Sequence, residues 1–393
     1  MNIRRLSDRV LYAAILGVLL GSTSAVAQSS EDTDVPDVDS PTKGRAVPIE
    51  VTPNVKRKTA GEWVVLPIPK SSPAIGTGLQ VIAARFFKAD EESQTSVLGA
   101  GGAYYTSDTW FVGAGGQYNF GQNRWRITGG LGYLEANYDF YGIGNDAGER
   151  DIAFPINQTG TAAFATVLRN VGLGWFVGAG YRYLDSTVGL RVSVPGFPEL
   201  EEILQQGERV VNYGPTLNAN YDTRDLNTYP RTGSYVKLEG FFGTTTAFDD
   251  TDYYEKITIQ ANRYWPIGEK YVLAGRVSVC GAGDDAPFFD LCLFGANNDL
   301  RGYTAGRYQD FRLFATQAEW RAQFTPRWGG VVFAGAGQVA PTFGEMNSDD
   351  WLPAAGFGVR WMAAKENKVN IRADLAWGKD EDALFYLSIG EAF

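Results

Sequence analysis

Histidine is absent from this sequence of 393 residues, and only two cysteines are present. Serine–histidine–aspartate and cysteine–histidine catalysis are therefore excluded, as is any zinc or iron site that uses histidine ligands. The net charge of -10 disfavours nucleic acid as a partner, because phosphates require a basic binding face. Acidic residues are so numerous that pairs arise by chance, and no paired-carboxylate hydrolase site is indicated. We expect no cofactor and no metal, and we predict that the protein is not an enzyme.

Long apolar runs are also lacking, since no stretch of 18 or more apolar residues follows residue 27. Residues 1–27 begin with a basic stretch, continue with an apolar run at 10–21 and end on small residues at 25–27. This pattern is typical of a cleaved signal peptide, because the run is too short to serve comfortably as a membrane anchor. The sequence therefore predicts an exported protein without helical membrane spans.

Residues 28–60 are polar, first acidic and then proline-spaced and basic. They show no core-forming pattern, so we predict a disordered periplasmic segment, with a partner-binding role as the alternative.

From residue 61 onwards, apolar and polar residues alternate with a period of two, as at 108–120 and 367–378. Such alternation indicates strands that have two different environments. Fifteen segments of this kind occur, each near or above the 9–11 residues that a tilted strand needs to cross a bilayer. Aromatic residues lie at strand ends, where outer-membrane barrels carry aromatic girdles. The sequence predicts an all-β protein: a transmembrane antiparallel β-barrel of about 16 strands over 61–393. Because bacterial barrels have even strand numbers, a sixteenth strand is expected within 61–70 or 187–197.

Four local motifs occur in a specific order. The first along the sequence is a strand–turn–strand pattern at 221–225 and 229–235. The others consist of Leu300, Arg301, Gly302 and Tyr303 in a long loop, Glu319 on the following strand, and Phe385, Leu387, Ile389, Gly390 and Phe393 at the end of the sequence. Together they resemble the transmembrane barrel of the bacterial surface antigen superfamily, over about residues 73–393. That group includes the BamA and TamA assembly factors and the two-partner-secretion translocases.

The resemblance implies that the loop around Arg301 is the sixth extracellular loop, that it folds into the barrel lumen, and that Arg301 docks on a wall carboxylate. Alternation over 313–324 directs Glu319 inward, since a charge on the lipid-facing side costs up to about 2–4 kcal/mol. The family motif Phe-x-Asp-x-Gly corresponds to Phe333, Gly335 and Gly337, so a glycine stands at the usual aspartate position. We therefore expect one carboxylate partner for Arg301, with competition from Arg321. The alternative is that Arg301 and Glu319 are ordinary solvated charges.

The two cysteines, Cys280 and Cys292, flank the start of the loop, and from the sequence a disulfide and two buried thiols are equally consistent. Residues 383–393 are expected to form the last strand, which would be one edge of a lateral gate and the signal for the protein's own insertion. Only about 33 to 45 residues separate residue 28 from the first strand, which predicts a form without the family's periplasmic repeat domains.

The resemblance implies a role in outer-membrane protein assembly or in protein translocation, in the outer membrane of a Gram-negative bacterium. Its expected partners are outer-membrane lipid and lipopolysaccharide, the host barrel-assembly machinery and unfolded client proteins. The alternatives are a passive pore for small polar solutes and a structural surface antigen.

Overall fold

The computed structural model describes residues 61–72, 76–150, 153–191, 207–247, 249–295, 299–379 and 383–393. The predicted signal peptide (1–27) and the predicted periplasmic segment (28–60) lie outside the described residues, so both stay predictions.

Strands dominate the described residues, with only short helical turns between them. The strands are β1 (Glu62–Ser72), β2 (Gly76–Phe87), β3 (Ser96–Tyr105), β4 (Trp110–Phe120), β5 (Trp125–Phe140), β6 (Phe154–Gly172), β7 (Trp175–Leu190), β8 (Glu208–Asp222), β9 (Gly233–Ala247), β10 (Asp250–Ile267), β11 (Tyr271–Ala282), β12 (Cys292–Leu293), β13 (Gln309–Asp310), β14 (Arg312–Gln323), β15 (Trp328–Ala340), β16 (Leu352–Ala364), β17 (Val369–Gly378) and β18 (Leu384–Ile389). A one-turn helix, α1 (Asn145–Glu149), follows β5. In the described ranges, no helix has the length and apolar character needed to cross a membrane.

Sixteen strands form one antiparallel sheet in which each strand pairs with its neighbours along the chain, β12 and β13 excepted. The sheet curls into a nearly closed barrel that brings β1 alongside β18, and this pair is called the seam below. Among the described residues, no hydrogen-bonded register joins β1 to β18. The predicted antiparallel barrel of about 16 strands is confirmed. The sixteenth strand is β1, within the first of the two expected stretches.

The distribution of side chains is inverted relative to a soluble protein. Outward positions carry exposed apolar residues, such as Val112, Leu131 and Leu217, which are 53%, 66% and 57% exposed. Inward positions carry buried charged residues, such as Arg126 and Glu319. An apolar exterior around a polar interior is the pattern that a barrel needs in a lipid bilayer.

The longest connection, residues 283–311 between β11 and β14, is called loop 6. It starts with a 3₁₀ turn at Phe288–Asp290, and its two short strands, β12 and β13, pair with each other. Its apolar residues Phe294, Leu300 and Tyr303 are almost completely buried among side chains of the barrel wall. Loop 6 therefore occupies the lumen.

Candidate functional site

Arg301 of loop 6 lies in the lumen against the wall formed by β14 to β17, with a completely buried side chain. One terminal nitrogen, Nη2, contacts Oε1 of Glu319 on β14. The other, Nη1, lies 2.5 Å from Oδ2 of Asp374 on β17. Nε and Nη2 also donate to Oε1 of Gln317, at 3.1 and 3.0 Å. A planar guanidinium suits such a site because its donors point at several acceptors at once.

The ring of Phe333 stacks against the same guanidinium, with its centroid 3.5 Å from Cζ of Arg301. A cation on an aromatic face gains about 2 kcal/mol or more once water is excluded. Phe333 lies on the inward side of β15, the side that Gly335 and Gly337 share.

The expectation of a single carboxylate partner for Arg301 is wrong. Gly335 does leave β15 without an acid, but Asp374, two strands further on, takes that role. The family motif lies on β15 and does not extend to β17, so it gives no indication of the second acid. Alternation over 367–378 had already placed Asp374 on one face with Arg372, and both are buried.

Six side chains of alternating charge form a closed circuit, which we call the charge ring. Glu319 Oε2 lies 2.8 Å from Arg321 Nε, and Arg321 Nε lies 3.9 Å from Glu391 Oε2. Glu391 Oε2 lies 2.8 Å from Arg360 Nε, and Arg360 Nη1 lies 2.5 Å from Asp374 Oδ1. Arg301 completes the circuit through its contacts with Glu319 and Asp374. Three arginines balance three carboxylates, so the ring is neutral as a whole.

The charge ring joins loop 6, three wall strands and the last residues of the sequence. Buried charges are tolerated only when they are paired, because removing one partner leaves the other desolvated and uncompensated. The expected competition between Arg321 and Arg301 does not take place, since the two guanidinium groups bind different oxygens of Glu319. Arg360 and Glu391 were not singled out in the sequence. They are 31 residues apart in the sequence, and the pairing of β16 with β17 and of β17 with β18 brings them together.

Small residues allow the loop to approach the wall. A Cβ at Gly335 would lie 2.6 Å from Leu300 Cδ1, and a Cβ at Gly337 would lie 2.5 Å from Phe294 Cε2. Gly302 has a φ of +113°, and a Cβ there would lie 3.0 Å from the carbonyl oxygen of Trp377. The next residue, Tyr303, is anchored by its hydroxyl, which donates to the Pro353 carbonyl at 2.6 Å.

The Omp85 superfamily domain model matches residues 99–393, which is most of the chain. The chain belongs to the Omp85 superfamily. The barrel is similar to that of BamA from Haemophilus ducreyi lacking POTRA domains 1-3, with 14% identity, a TM-score of 0.51, and coverage of 83% of this chain and 70% of that one. No curated protein sequence is significantly similar to it.

The Omp85 barrel is also similar to CdiB from Acinetobacter baumannii and from Escherichia coli, each at 10% identity, with TM-scores of 0.53 and 0.52. Each match covers 83% of this chain, but only 58% and 61% of the two CdiB chains. At such identities the likeness shows the fold. Membership of the Omp85 superfamily and a barrel of this kind make this an outer-membrane protein.

The last strand of this Omp85 barrel is shorter than the expected 383–393. β18 ends at Ile389, and Gly390 turns the chain inward with a φ of +77°. Glu391 then enters the charge ring, and the Phe393 ring lies 4.8 Å from the guanidinium carbon of Arg276 on β11. Phe385, Leu387 and Ile389 are therefore the residues that alternate outward on β18, whereas Gly390 and Phe393 belong to a lumenal tail. The physical reason is that Glu391 finds its cationic partners only inside the barrel.

The base of loop 6 is fixed by a second ionic cluster. Asp290 accepts hydrogen bonds from Arg182 Nη2 at 3.1 Å, Lys256 Nζ at 2.8 Å and the Tyr254 hydroxyl at 2.6 Å. Burial by itself raises the pKa of Asp290, but Arg182 and Lys256 outweigh it and lower the pKa to about 2. Because folding lowers this pKa, the ionised Asp290 stabilises the fold at pH values above its ordinary pKa of 3.8. This stabilisation is lost as the pH falls towards about 2.

Cys280 on β11 and Cys292 on β12 form a disulfide, with their Cα atoms 5.7 Å apart. Of the two alternatives that the sequence left open, the structure contains the bonded one. The bond ties the start of loop 6 to the barrel wall at a point separate from the charge ring.

We expect the double variant Cys280→Ser with Cys292→Ser to lose roughly 2–3 kcal/mol of stability, the range for closing a short loop. Thermal unfolding in detergent, followed by circular dichroism, measures the shift. Reducing the wild type with dithiothreitol should reproduce it, and reductant should not affect the variant. An unchanged melting temperature would show that the disulfide contributes nothing to loop retention.

The end of the barrel opposite loop 6 is covered by residues 223–232, the turn between β8 and β9, which we call the floor segment. Within it, Asn227 Nδ2 donates to the Thr95 carbonyl at 3.0 Å, and Thr228 Oγ1 donates to the Asn367 carbonyl at 2.6 Å. Thr95 and Asn367 lie in the β2–β3 and β16–β17 turns. Because both turns lie far from β8 and β9 in the strand order, the floor segment crosses the opening to reach them. The lumen of this Omp85 barrel is therefore obstructed at two levels.

Proposed function

We propose that this protein inserts or translocates other polypeptides at the outer membrane, without covalent chemistry. The observation that carries the proposal is the seam. Fifteen neighbouring strand pairs have a hydrogen-bonded register, whereas β1 and β18 lie together without one in the part of the chain that the structure describes. Unpaired strand edges template the addition of further strands, and a bilayer strengthens this tendency because it offers no competing water.

The obstructed lumen supports the same proposal over a passive pore. Loop 6 fills the lumen from one end, and the floor segment crosses it at the other. A solute channel requires a continuous aqueous path, whereas a machine that works at its seam requires a closed lumen to keep the membrane sealed. The similarity to BamA and CdiB barrels adds to this argument at the level of the fold.

Depletion of the protein in its Gram-negative host tests the proposal. Quantitative proteomics of the outer membrane should show a several-fold loss of a set of other barrel or secreted proteins before growth slows. A plasmid copy of the wild-type protein should restore them. If the outer-membrane proteome keeps its composition after the protein has disappeared, the proposal is wrong.

A further inference from the structure

Three exposed arginines point outward from the barrel near the ends of β2, β6 and β10, and we call them the arginine belt: Arg85, Arg169 and Arg263. Arg85 lies opposite Leu98 on β3, an exposed apolar residue of the outer surface. Arg169 lies opposite Val177 on β7, which is exposed in the same way. Arg263 alternates with buried neighbours on β10. All three side chains therefore leave the barrel on its lipid-facing side.

The arginine belt lies at one level of the membrane. Because neighbouring strands are antiparallel, β2, β6 and β10 run in the same direction and end at the rim opposite loop 6. That rim is the periplasmic one when loop 6 is extracellular, as the Omp85 resemblance implies. Cζ of Arg85 lies 5.5 Å from the ring centroid of Phe87, and Cζ of Arg169 lies 5.6 Å from that of Trp125. Aromatic girdles mark membrane interfaces, so the belt lies at the interface of the periplasmic leaflet.

Within the described ranges, no member of the arginine belt has a carboxylate partner. The one hydrogen bond that the structure gives the belt there runs from Arg263 Nη1 to Ser234 Oγ, at 2.7 Å. Arg209, which faces outward in the half of β8 nearer loop 6, behaves differently. Its Nε and Nη2 donate to the two carboxylate oxygens of Asp185, at 2.9 and 2.7 Å. An arginine that faces lipid without an acid beside it must find its acceptors outside the protein.

Charges of opposite sign are separated along the lipid-facing surface. Outward-facing acids of the strands, such as Glu135, Asp185 and Glu255, lie in the halves of β5, β7 and β10 nearer loop 6. In the opposite halves of the described strands, the outward-facing charged residues are those of the arginine belt alone. The barrel therefore presents only cations to the leaflet at its periplasmic end, and the complementary partner there is an anion of the membrane itself.

We propose that the arginine belt binds the phosphodiester headgroups of anionic phospholipids, such as phosphatidylglycerol, in the periplasmic leaflet. The apolar stem of arginine lies along the acyl region, and its guanidinium reaches the interface and donates to several phosphate oxygens at once. Zwitterionic lipids carry an ammonium group that already neutralises their phosphate, so the anionic lipid is preferred. The belt arginines are four strands apart, about 20 Å around the sheet, so each binds a separate lipid. This inference is independent of the proposed function.

Native mass spectrometry of the full chain tests the proposal. The protein is transferred to a mild detergent with an equal mixture of phosphatidylglycerol and phosphatidylcholine of the same acyl chains, and the lipids that stay bound are counted. The wild type should retain phosphatidylglycerol over phosphatidylcholine by roughly fivefold or more. A triple variant should retain the two lipids in nearly equal amounts, and it consists of Arg85→Gln, Arg169→Gln and Arg263→Gln. No preference in the wild type, or an unchanged preference in the triple variant, overturns the proposal.

A matched control removes the same charge from exposed arginines on the side of loop 6, and it consists of Arg150→Gln, Arg191→Gln and Arg209→Gln. It should keep the wild-type preference, and a loss equal to that of the triple variant overturns the assignment to the belt. Lysine at all three belt positions keeps the charge and should keep most of the preference. Inorganic phosphate should not displace the lipid, and displacement would assign the belt to free anions and overturn the proposal.

Thermal unfolding in nanodiscs gives a second measurement, which also shows that the triple variant folds. In phosphatidylcholine alone, the wild type and the triple glutamine variant should melt at the same temperature, because the belt has no ion pair within the protein to lose. Phosphatidylglycerol in the nanodisc should raise the melting temperature of the wild type but not that of the triple variant. An equal rise in both proteins would show that the anionic lipid acts elsewhere, and it would overturn the proposal.

Discussion

The variant Arg301→Ala is expected to turn a sealed barrel into a conducting one. The substitution leaves Glu319 and Asp374 buried without their shared cation, and breaking a buried ion pair in this way costs about 3–5 kcal/mol. Loop 6 should move out of its position in the lumen, because the charge ring and the stacking on Phe333 both depend on the guanidinium. Planar-bilayer recordings should show large, long-lived openings where the wild type is mostly closed, and thermal unfolding should begin at a lower temperature.

Three further variants separate the charge ring from general damage to the loop. Arg307→Ala removes another arginine of loop 6, whose Nε donates to the Gly148 carbonyl, and it should leave the conductance low. Arg301→Lys retains the positive charge but not the planar set of guanidinium donors, so an intermediate conductance is expected. Adding Glu319→Gln to Arg301→Ala removes the one carboxylate in excess, because Arg321 keeps Glu391 and Arg360 keeps Asp374, so part of the lost stability should return. Equal conductance of the wild type and Arg301→Ala would show that the lumen is closed by other means.

The variant Gly302→Val should release the loop without removing any charge. The φ of +113° at this position strains any residue with a side chain, at roughly 1–3 kcal/mol, and the added carbon atoms would press on Trp377. The neighbouring Arg301 would be drawn away from its two carboxylates, which adds the cost of separating a buried pair. We expect a conductance close to that of Arg301→Ala and a comparable loss of stability, measured in the same two assays.

Ala305→Val is the control for Gly302→Val, because it places the same side chain at an exposed position of the same loop. It should leave the conductance and the melting temperature within experimental error of the wild type. A sealed Gly302→Val barrel would mean that the close contact between Gly302 and β17 is not required for plugging.

Strand alternation was sufficient to predict the barrel, since it is a local property that each strand carries by itself. It also placed Glu319 on the inward face. The partner of Arg301 on β17 could not be derived in this way. Which inward residues meet across a barrel depends on strand tilt and on the accumulated stagger, and no single strand encodes these.

The end of the chain shows a second limit of sequence patterns. Alternation continues through 383–393 and indicates one strand to the last residue, yet Gly390 redirects the chain and Glu391 pairs inside the lumen. The decisive factors are a positive φ and a distant arginine pair, and neither appears in a period-two pattern.

The disulfide between Cys280 and Cys292 shortens the part of loop 6 that can move away from the barrel wall. Arg301 follows Cys292 by nine residues, so when displaced it stays within about 30 Å of that anchor. Resealing is a unimolecular event because both ends of loop 6 continue into the barrel, and the bond limits the conformational freedom that the displaced loop gains. A lumen that opens transiently is therefore closed again by the loop of the same molecule.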